Sequence, residues 1–246
     1  MGASSGYTAL LPPQADADIG RERILVRFDD GRAEALALHD YERLYAIPGL
    51  YEEIVQVQLG CRSPQVIASV LAAAVDRIGW APSDVRTLDV GAGNGISGEA
   101  LLAAGIQPVL ATDVLATARD AALRDRPGLY EAYLVTDLID VDPDQPRAIR
   151  ALECNALVCV APVGRGAQHV PPEAIAAAAE LLAPDALLAY MRDADEQPDT
   201  LTADVLAARI AGFTALEELA RRRYVHRHTV NGDPILMDAV VARVLR

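Results

Sequence analysis

Residues 87–98 read TLDVGAGNGISG, a short apolar run that opens into glycines at 91, 93, 95 and 98. Glycine inside regular structure costs roughly 0.5–1 kcal/mol against alanine. A stretch that accepts this cost several times lets its backbone come close to something else. What approaches it decides how the rest of the chain is read.

Downstream of this stretch the sequence alternates with a βαβ rhythm. The strand TLDV is followed by the helix ISGEALLAAG, then PVLATD, LATARDAALRD and AYLVTD. A polar helix around DPDQPRAIRAL, the strand NALVCVA, the helix PPEAIAAAAELLA, the strand ALLAYM and the helix TLTADVLAARIAG complete it. Strands this short, apolar on both faces and separated by helices suit a parallel sheet covered on both sides. The C-terminal part differs. RRRYVHRHTV and PILMDAVVARVL flank Asn231-Gly232, the strongest short hairpin signal, so the sheet is expected to finish with an antiparallel strand. The predicted fold is α/β, a Rossmann-like doubly wound sheet of seven strands, mostly parallel, with an N-terminal helical lid.

Upstream, residues 1–22 carry Pro12-Pro13 and alternating Asp and Ala, which reads as a poorly ordered arm. RILVRFDDGRAEALAL breaks at Asp30-Gly31, leaving room for a small hairpin. Residues 40–76 read as helical, with apolar positions at Ile54, Val57, Val66, Ile67, Val70, Leu71 and Val75. Gly49 and the CRSP stretch divide them into two or three helices. The expected organisation is an arm with a short hairpin over residues 1–35, a helical lid or substrate cap over 36–82, and a core over 83–246.

In open α/β sheets ligands bind outside the carboxyl ends of the strands, where strand order reverses, and the first strand–helix turn lies there. A dinucleotide fingerprint needs a third glycine at position 96, which is Ile96. The spacing present is Asp89-x-Gly91-x-Gly93-x-Gly95. It resembles the nucleotide-binding loop of class I S-adenosylmethionine (SAM) methyltransferases. That resemblance implies a cofactor site at Asp89, Gly91, Ala92, Gly93 and Gly95. Asp113, roughly twenty residues on, ends the second strand, where an acid meets ribose hydroxyls, with Val114 beside it. Asp137, followed by Leu138, ends the third, where an acid accepts from an adenine amino group. Asp89 lies where it would meet the ammonium of the methionine moiety. Each acid alone also reads as an ordinary strand cap; the three together favour the cofactor.

The resemblance covers about residues 40–245. YERLYAIPGLYEEIVQVQLGCRSPQVIASVL is similar to the N-terminal helices of small-molecule methyltransferases. The segment from Asn155 to the fifth strand, with Gln168-His169-Val170-Pro171 before its helix, resembles methyltransferase-like proteins from the Williams–Beuren region. Two positions depart from the pattern: Asn155 stands where an aspartate commonly opens the fourth strand, and Asp185 where glycine is usual. The resemblance implies Tyr45 and Tyr51, with Tyr41 nearby, as residues closing over the methionine end of the cofactor; packing of the helix is the competing reading. Arg62 is a candidate for the cofactor carboxylate against a solvated surface role. His169 is the candidate general base, its titration range suiting proton removal at neutral pH. His226 and His228 read as one solvated strand face, the arginines at 221–223 as solvated, and Cys159 as a small buried apolar residue.

Composition narrows the partners. The net charge of −13, from 22 basic and 35 acidic residues, disfavours nucleic acid and anionic membrane surfaces. Three cysteines without a C-x-x-C pair point to reduced thiols in a cytoplasmic setting. The four scattered histidines give no metal-ligand spacing. The expected function is methyl transfer from SAM, leaving S-adenosylhomocysteine, to an O, N or C nucleophile of a small molecule, by a monomer or homodimer. A SAM-binding protein without methyl transfer is the alternative, favoured by the lack of an N/D-P-P-Y acceptor motif. A nicotinamide-dependent reductase is a third, disfavoured by Ile96.

Overall fold

The computed structural model describes residues 6–14, 19–163, 170–194 and 203–246. The chain divides into two compact units, Met1–Arg62 with Val225–Ile235, and Ser63–Tyr224 with Leu236–Arg246.

The first unit opens with three strands, β1 (Tyr7–Leu10), β2 (Arg23–Phe28) and β3 (Ala33–Ala37), paired antiparallel in that order. The β2–β3 hairpin turns at Asp30-Gly31 as its sequence predicts. Strand β1 lies within the stretch read as a poorly ordered arm. Its four residues are too short to show alternation, and they are held by register with β2, Tyr7 opposite Phe28. Helix α1 (Tyr41–Ala46) starts at Asp40, whose carboxylate accepts from the Arg43 N–H at 3.2 Å. A π-helical segment, Glu52–Gln58, follows. Ile24, Val26, Leu44, Leu50, Ile54 and Leu59 form this unit's core. The hairpin face expected to be solvated is not uniformly so. Arg227 is buried against Glu22, 2.6 Å away, and His226 is half-buried with its Nδ1 3.8 Å from the Cys61 sulfur.

The second unit holds the main sheet. Helix α2 (Ser63–Arg77) buries Ile67, Val70, Leu71, Ala74 and Val75, a stripe at helical spacing. It belongs with this unit, so the stretch 36–82 expected as one cap divides at Arg62. Strands and helices then alternate: β4 (Arg86–Val90), α3 (Ile96–Ala103), β5 (Gln107–Asp113), α4 (Ala116–Asp125), β6 (Ala132–Val135), α5 (Gln145–Arg150) and β7 (Ala156–Pro162). Next come α6 (Pro172–Glu180), β8 (Leu187–Asp193) and α7 (Ala203–Arg209), then the long strands β9 (Ala215–His228) and β10 (Pro234–Leu245). The sheet order is β6-β5-β4-β7-β8-β10-β9. Strands β4 to β8 pair in parallel and β10 runs antiparallel to β8. The seven-stranded, mostly parallel sheet with a reversed C-terminal strand is thus present.

Burial explains the apolar strands. In β8 every residue from Leu187 to Arg192 is buried, because helices cover both faces. Residues 174–179 of α6 are all buried, and five of these six are alanines, which lets the helix lie close to the sheet. Chain order places β5 and β6 on one flank of β4 and β7 on the other. The strand order therefore reverses between β4 and β7, and the glycine loop after β4 sits at that reversal. Among the described residues no helix is long and apolar enough to cross a membrane, and no cluster of His, Cys, Asp or Glu is arranged to hold a metal ion. None of the three cysteines forms a disulfide, and all three are buried.

Candidate functional site: the loop after β4

The loop is pinned before any ligand is considered. The N–H groups of Gly91 and Ala92 both donate to the Thr112 carbonyl at the end of β5, at 2.9 and 3.1 Å. The Gly93 N–H donates to Asp113 Oδ2 at 3.0 Å, and the Leu115 N–H to Asp113 Oδ1 at 3.0 Å. Gly91, Gly93 and Gly95 have φ of 68°, 55° and 88°, a region closed to most side chains. The loop is thus bent by glycine and held by the neighbouring strand.

Asp89, next to last in β4, is fully buried. Its Oδ2 accepts from the Ser97 hydroxyl at 2.5 Å and from the Tyr130 hydroxyl at 2.7 Å. Its Oδ1 is buried without a hydrogen-bond partner among the described residues. Burial raises its pKa to about 6, the bonds from Ser97 and Tyr130 pull it down, and the charge of Asp113 adds to the rise. A buried carboxylate oxygen left unpaired calls for a donor. Asp113 is half-buried, and burial raises its pKa while backbone donors, Leu115 and Gly93 among them, lower it.

Part of the glycine pattern answers to the protein itself. A Cβ on Gly98 would come within 2.6 and 2.8 Å of the Tyr130 ring carbons Cζ and Cε1. One on Gly95 would sit 3.3–3.4 Å from Arg126, Leu129 and Tyr130. The Tyr133 hydroxyl donates to the Gly93 carbonyl at 2.7 Å, and the two tyrosine rings meet edge to face with centroids 6.0 Å apart. Ser97, Tyr130 and Tyr133 are site residues that sequence reasoning missed. Tyr130 and Asp89 stand 41 positions apart, and no local pattern marks such a contact.

The other expected residues fall as follows. Val114 is 65% exposed beside Asp113. Asp137 is exposed two residues beyond β6, its Oδ1 accepting from the Ile139 N–H at 2.9 Å. Leu138 is buried in the main core, so only its backbone is available to a ligand. His169 lies outside the described residues; the flanking Val163 and Val170 bridge in parallel fashion, and Val170 Cγ2 is 3.3 Å from where a Cβ on Gly91 would be. Tyr45 and Tyr51 lie in the first unit, their rings 5.0 Å apart, with Tyr41 6.1 and 6.4 Å from them. Tyr41 and Tyr51 pack on that unit's core. Arg62 is exposed. Burial pushes the Cys159 thiol up to about 12, which suits a small apolar residue.

A strand order that reverses beside a glycine loop, ending in an antiparallel pair, is the fold of the class I SAM-dependent methyltransferases. Solved structures share it. PH1948 from Pyrococcus horikoshii, named as a candidate RNA methyltransferase, aligns at a TM-score of 0.51 and 14% identity over 73% of this chain and 83% of its own. The CurJ carbon methyltransferase aligns at 0.52 and 15% identity over 84% of this chain, which spans only 61% of that protein. A Burkholderia thailandensis 1,6-didemethyltoxoflavin-N1-methyltransferase aligns at 0.49 and 17% identity over 91% of this chain and 96% of its own. At such identities the likeness to the first two is one of fold alone. No protein-family model matches the chain, and no curated protein does.

The loop's chemistry fits SAM. The cofactor carries an ammonium, a ribose diol and an adenine. The chain offers an unpaired buried carboxylate oxygen at Asp89, a half-buried acid at Asp113, an exposed apolar side chain at Val114 and an exposed acid at Asp137.

Proposed function

We infer that this chain is a SAM-dependent methyltransferase whose acceptor is a small molecule. The observation that carries the inference is Asp89 Oδ1, a buried acceptor without a donor among the described residues, beside a glycine loop at the sheet's reversal. When bound, SAM supplies a methyl group on a charged sulfonium leaving group. Asp89 offers its free oxygen to the cofactor ammonium, directly or through one water. Asp113 accepts from the ribose hydroxyls with the acceptor capacity its backbone donors leave, and Asp137 accepts from the adenine amino group. Val114 lies against the base. The protein's main contribution is alignment and exclusion of water, and orientation alone supplies roughly 7–11 kcal/mol in favourable cases. His169 is the proposed base for acceptors that must lose a proton. The acidic surface and the resemblance to small-molecule and Williams–Beuren-region methyltransferases support a small acceptor in a cytoplasmic setting, with monomer or homodimer as the working form.

Calorimetric titration with S-adenosylhomocysteine and with NAD tests the cofactor. Labelled SAM incubated with pools of small hydroxyl, amine and activated-carbon compounds tests transfer. Binding of S-adenosylhomocysteine with label appearing in a small product is expected. Binding of NAD alone overturns the cofactor assignment, and tight SAM binding without transfer to any pool favours a SAM-binding protein of other use.

A further inference from the structure

We propose that Tyr130 is a positioning residue for the cofactor site: its hydroxyl, together with that of Ser97, occupies one oxygen of Asp89 so that the other is presented, ionised and unpaired, to the cation of the ligand. This rests on the SAM reading and assigns a role outside the glycine loop and its three acids.

The geometry divides the carboxylate's work between its two oxygens. Oδ2 takes both donors, at 2.5 and 2.7 Å, while Oδ1 is buried and takes none among the described residues. Two donors arriving from different elements, the first turn of α3 and the segment before β6, fix the rotation of the carboxylate about its last bond. A carboxylate held by a single donor would be free to turn its vacant oxygen away. The ring has a second task. It fills the space above Gly95 and Gly98, where a Cβ on Gly98 would overlap it. Tyr133 completes the brace through the Gly93 carbonyl at 2.7 Å. The two tyrosines therefore hold the acid before the loop and the backbone within it.

The charge balance around Asp89 makes the hydroxyls matter. Among the described residues, the groups facing it are Ser97 from α3, Tyr130 before β6, Tyr133 in β6, Asp113 at the end of β5 and Cys159 in β7. None of these is a cation. Of them, the hydroxyl donors favour the ionised form, and burial and Asp113 oppose it. A cationic ligand needs that ionised form, so losing the Tyr130 hydroxyl weakens binding most where Asp89 is closest to taking a proton.

The test is calorimetric affinity for S-adenosylhomocysteine, which keeps the amino group, from pH 5 to 7.5, with wild type, Tyr130→Phe, Ser97→Ala and Asp89→Asn. Thermal unfolding confirms that each variant is folded. Phenylalanine keeps the ring over Gly98 and removes only the hydroxyl. Wild-type affinity is expected to fall as pH drops through about 6. In Tyr130→Phe affinity falls about tenfold at pH 6, and the fall begins at higher pH, because one stabiliser of the carboxylate is gone. Ser97→Ala moves the profile in the same direction, and Asp89→Asn flattens it. A Tyr130→Phe profile that matches wild type, or that drops equally at every pH, overturns the positioning role while the cofactor site stands. A wild type that does not bind, or an Asp89→Asn that binds as wild type does, overturns the cofactor reading and takes this inference with it.

Discussion

Single residues carry two consequences of the chain's departures from simple rules. Asp89 is an acid buried beside another acid, and its folded pKa of about 6 lies above the ordinary 3.8. Well below its ordinary pKa of 3.8 it is protonated in both the folded and unfolded chain, and burial then carries no charge penalty. As pH rises the unfolded chain gives up its proton first, so the folded state loses ground until pH passes about 6. A rise from 3.8 to about 6 corresponds to roughly 3 kcal/mol. Urea unfolding at pH 4 and pH 7 should show wild type losing about that much relative to Asp89→Asn, the other carboxylates being common to both. An unchanged difference between the two proteins would mean that Asp89 has the same pKa in the folded and the unfolded chain. Asn155, one of the two departures from the methyltransferase pattern, also explains itself. Its Oδ1 accepts from the Arg86 N–H at 2.8 Å, and its Nδ2 donates to the Asp84 carbonyl at 2.8 Å. An aspartate cannot donate, and its charge would face that carbonyl. Asn155→Asp is expected to cost about 1–3 kcal/mol in unfolding free energy at pH 7, and less at pH 4 where the carboxyl regains a proton. Asp185, the other departure, holds φ of 58°, the conformation that the glycine usual there adopts freely.

At the scale of elements, what the sequence reveals depends on how local the cause is. The β4 to β8 alternation is written in apolar runs and turn residues, each visible within about ten positions, and the Asn231-Gly232 hairpin is a two-residue signal. The three-stranded sheet is only partly legible: Asp30-Gly31 marks the β2–β3 turn, but β1 is four residues without alternation and depends on its partner. The hidden link in the first unit is Glu22 with Arg227, 205 residues apart and both buried, which also receives the Val230 N–H at 2.8 Å. On sequence alone Arg227 belongs to a charged strand face. Burying an ion pair gains little over an apolar pair, but removing one partner strands the other charge. Glu22→Met is therefore expected to destabilise by about 3–5 kcal/mol, with Glu22→Met/Arg227→Met closer to wild type than Glu22→Met or Arg227→Met alone. Denaturant titration of the four proteins checks this. Additive losses in the double variant would show that the two side chains do not act as a pair.

Across the whole molecule, the division into two units separates what the glycine loop explains from what it does not. The loop, its acids and the tyrosine brace all lie in the unit that holds the main sheet, while Tyr45 and Tyr51 lie in the other. The βαβ order made the loop and its acids legible, though not the tyrosine brace, because right-handed crossovers in a parallel sheet leave few places for the loop after its first strand. Tyr41, Tyr45 and Tyr51 offered only spacing, and the structure shows their rings against one another, with Tyr41 and Tyr51 packed on their own unit's core. Their proposed role as cover residues is consequently a question of response to ligand. Covers open for exchange and belong to the less stable parts of a fold, so they gain protection when the ligand is bound. Hydrogen exchange with and without S-adenosylhomocysteine should slow in residues 86–98 and 111–115 if the cofactor site is correct. It should slow in residues 36–64 far more than in 214–245 if Tyr45 and Tyr51 also serve the cofactor. Protection confined to the loop would leave the tyrosines as packing for their own unit. In that case Tyr51→Ala would lower the melting temperature without changing the affinity for S-adenosylhomocysteine.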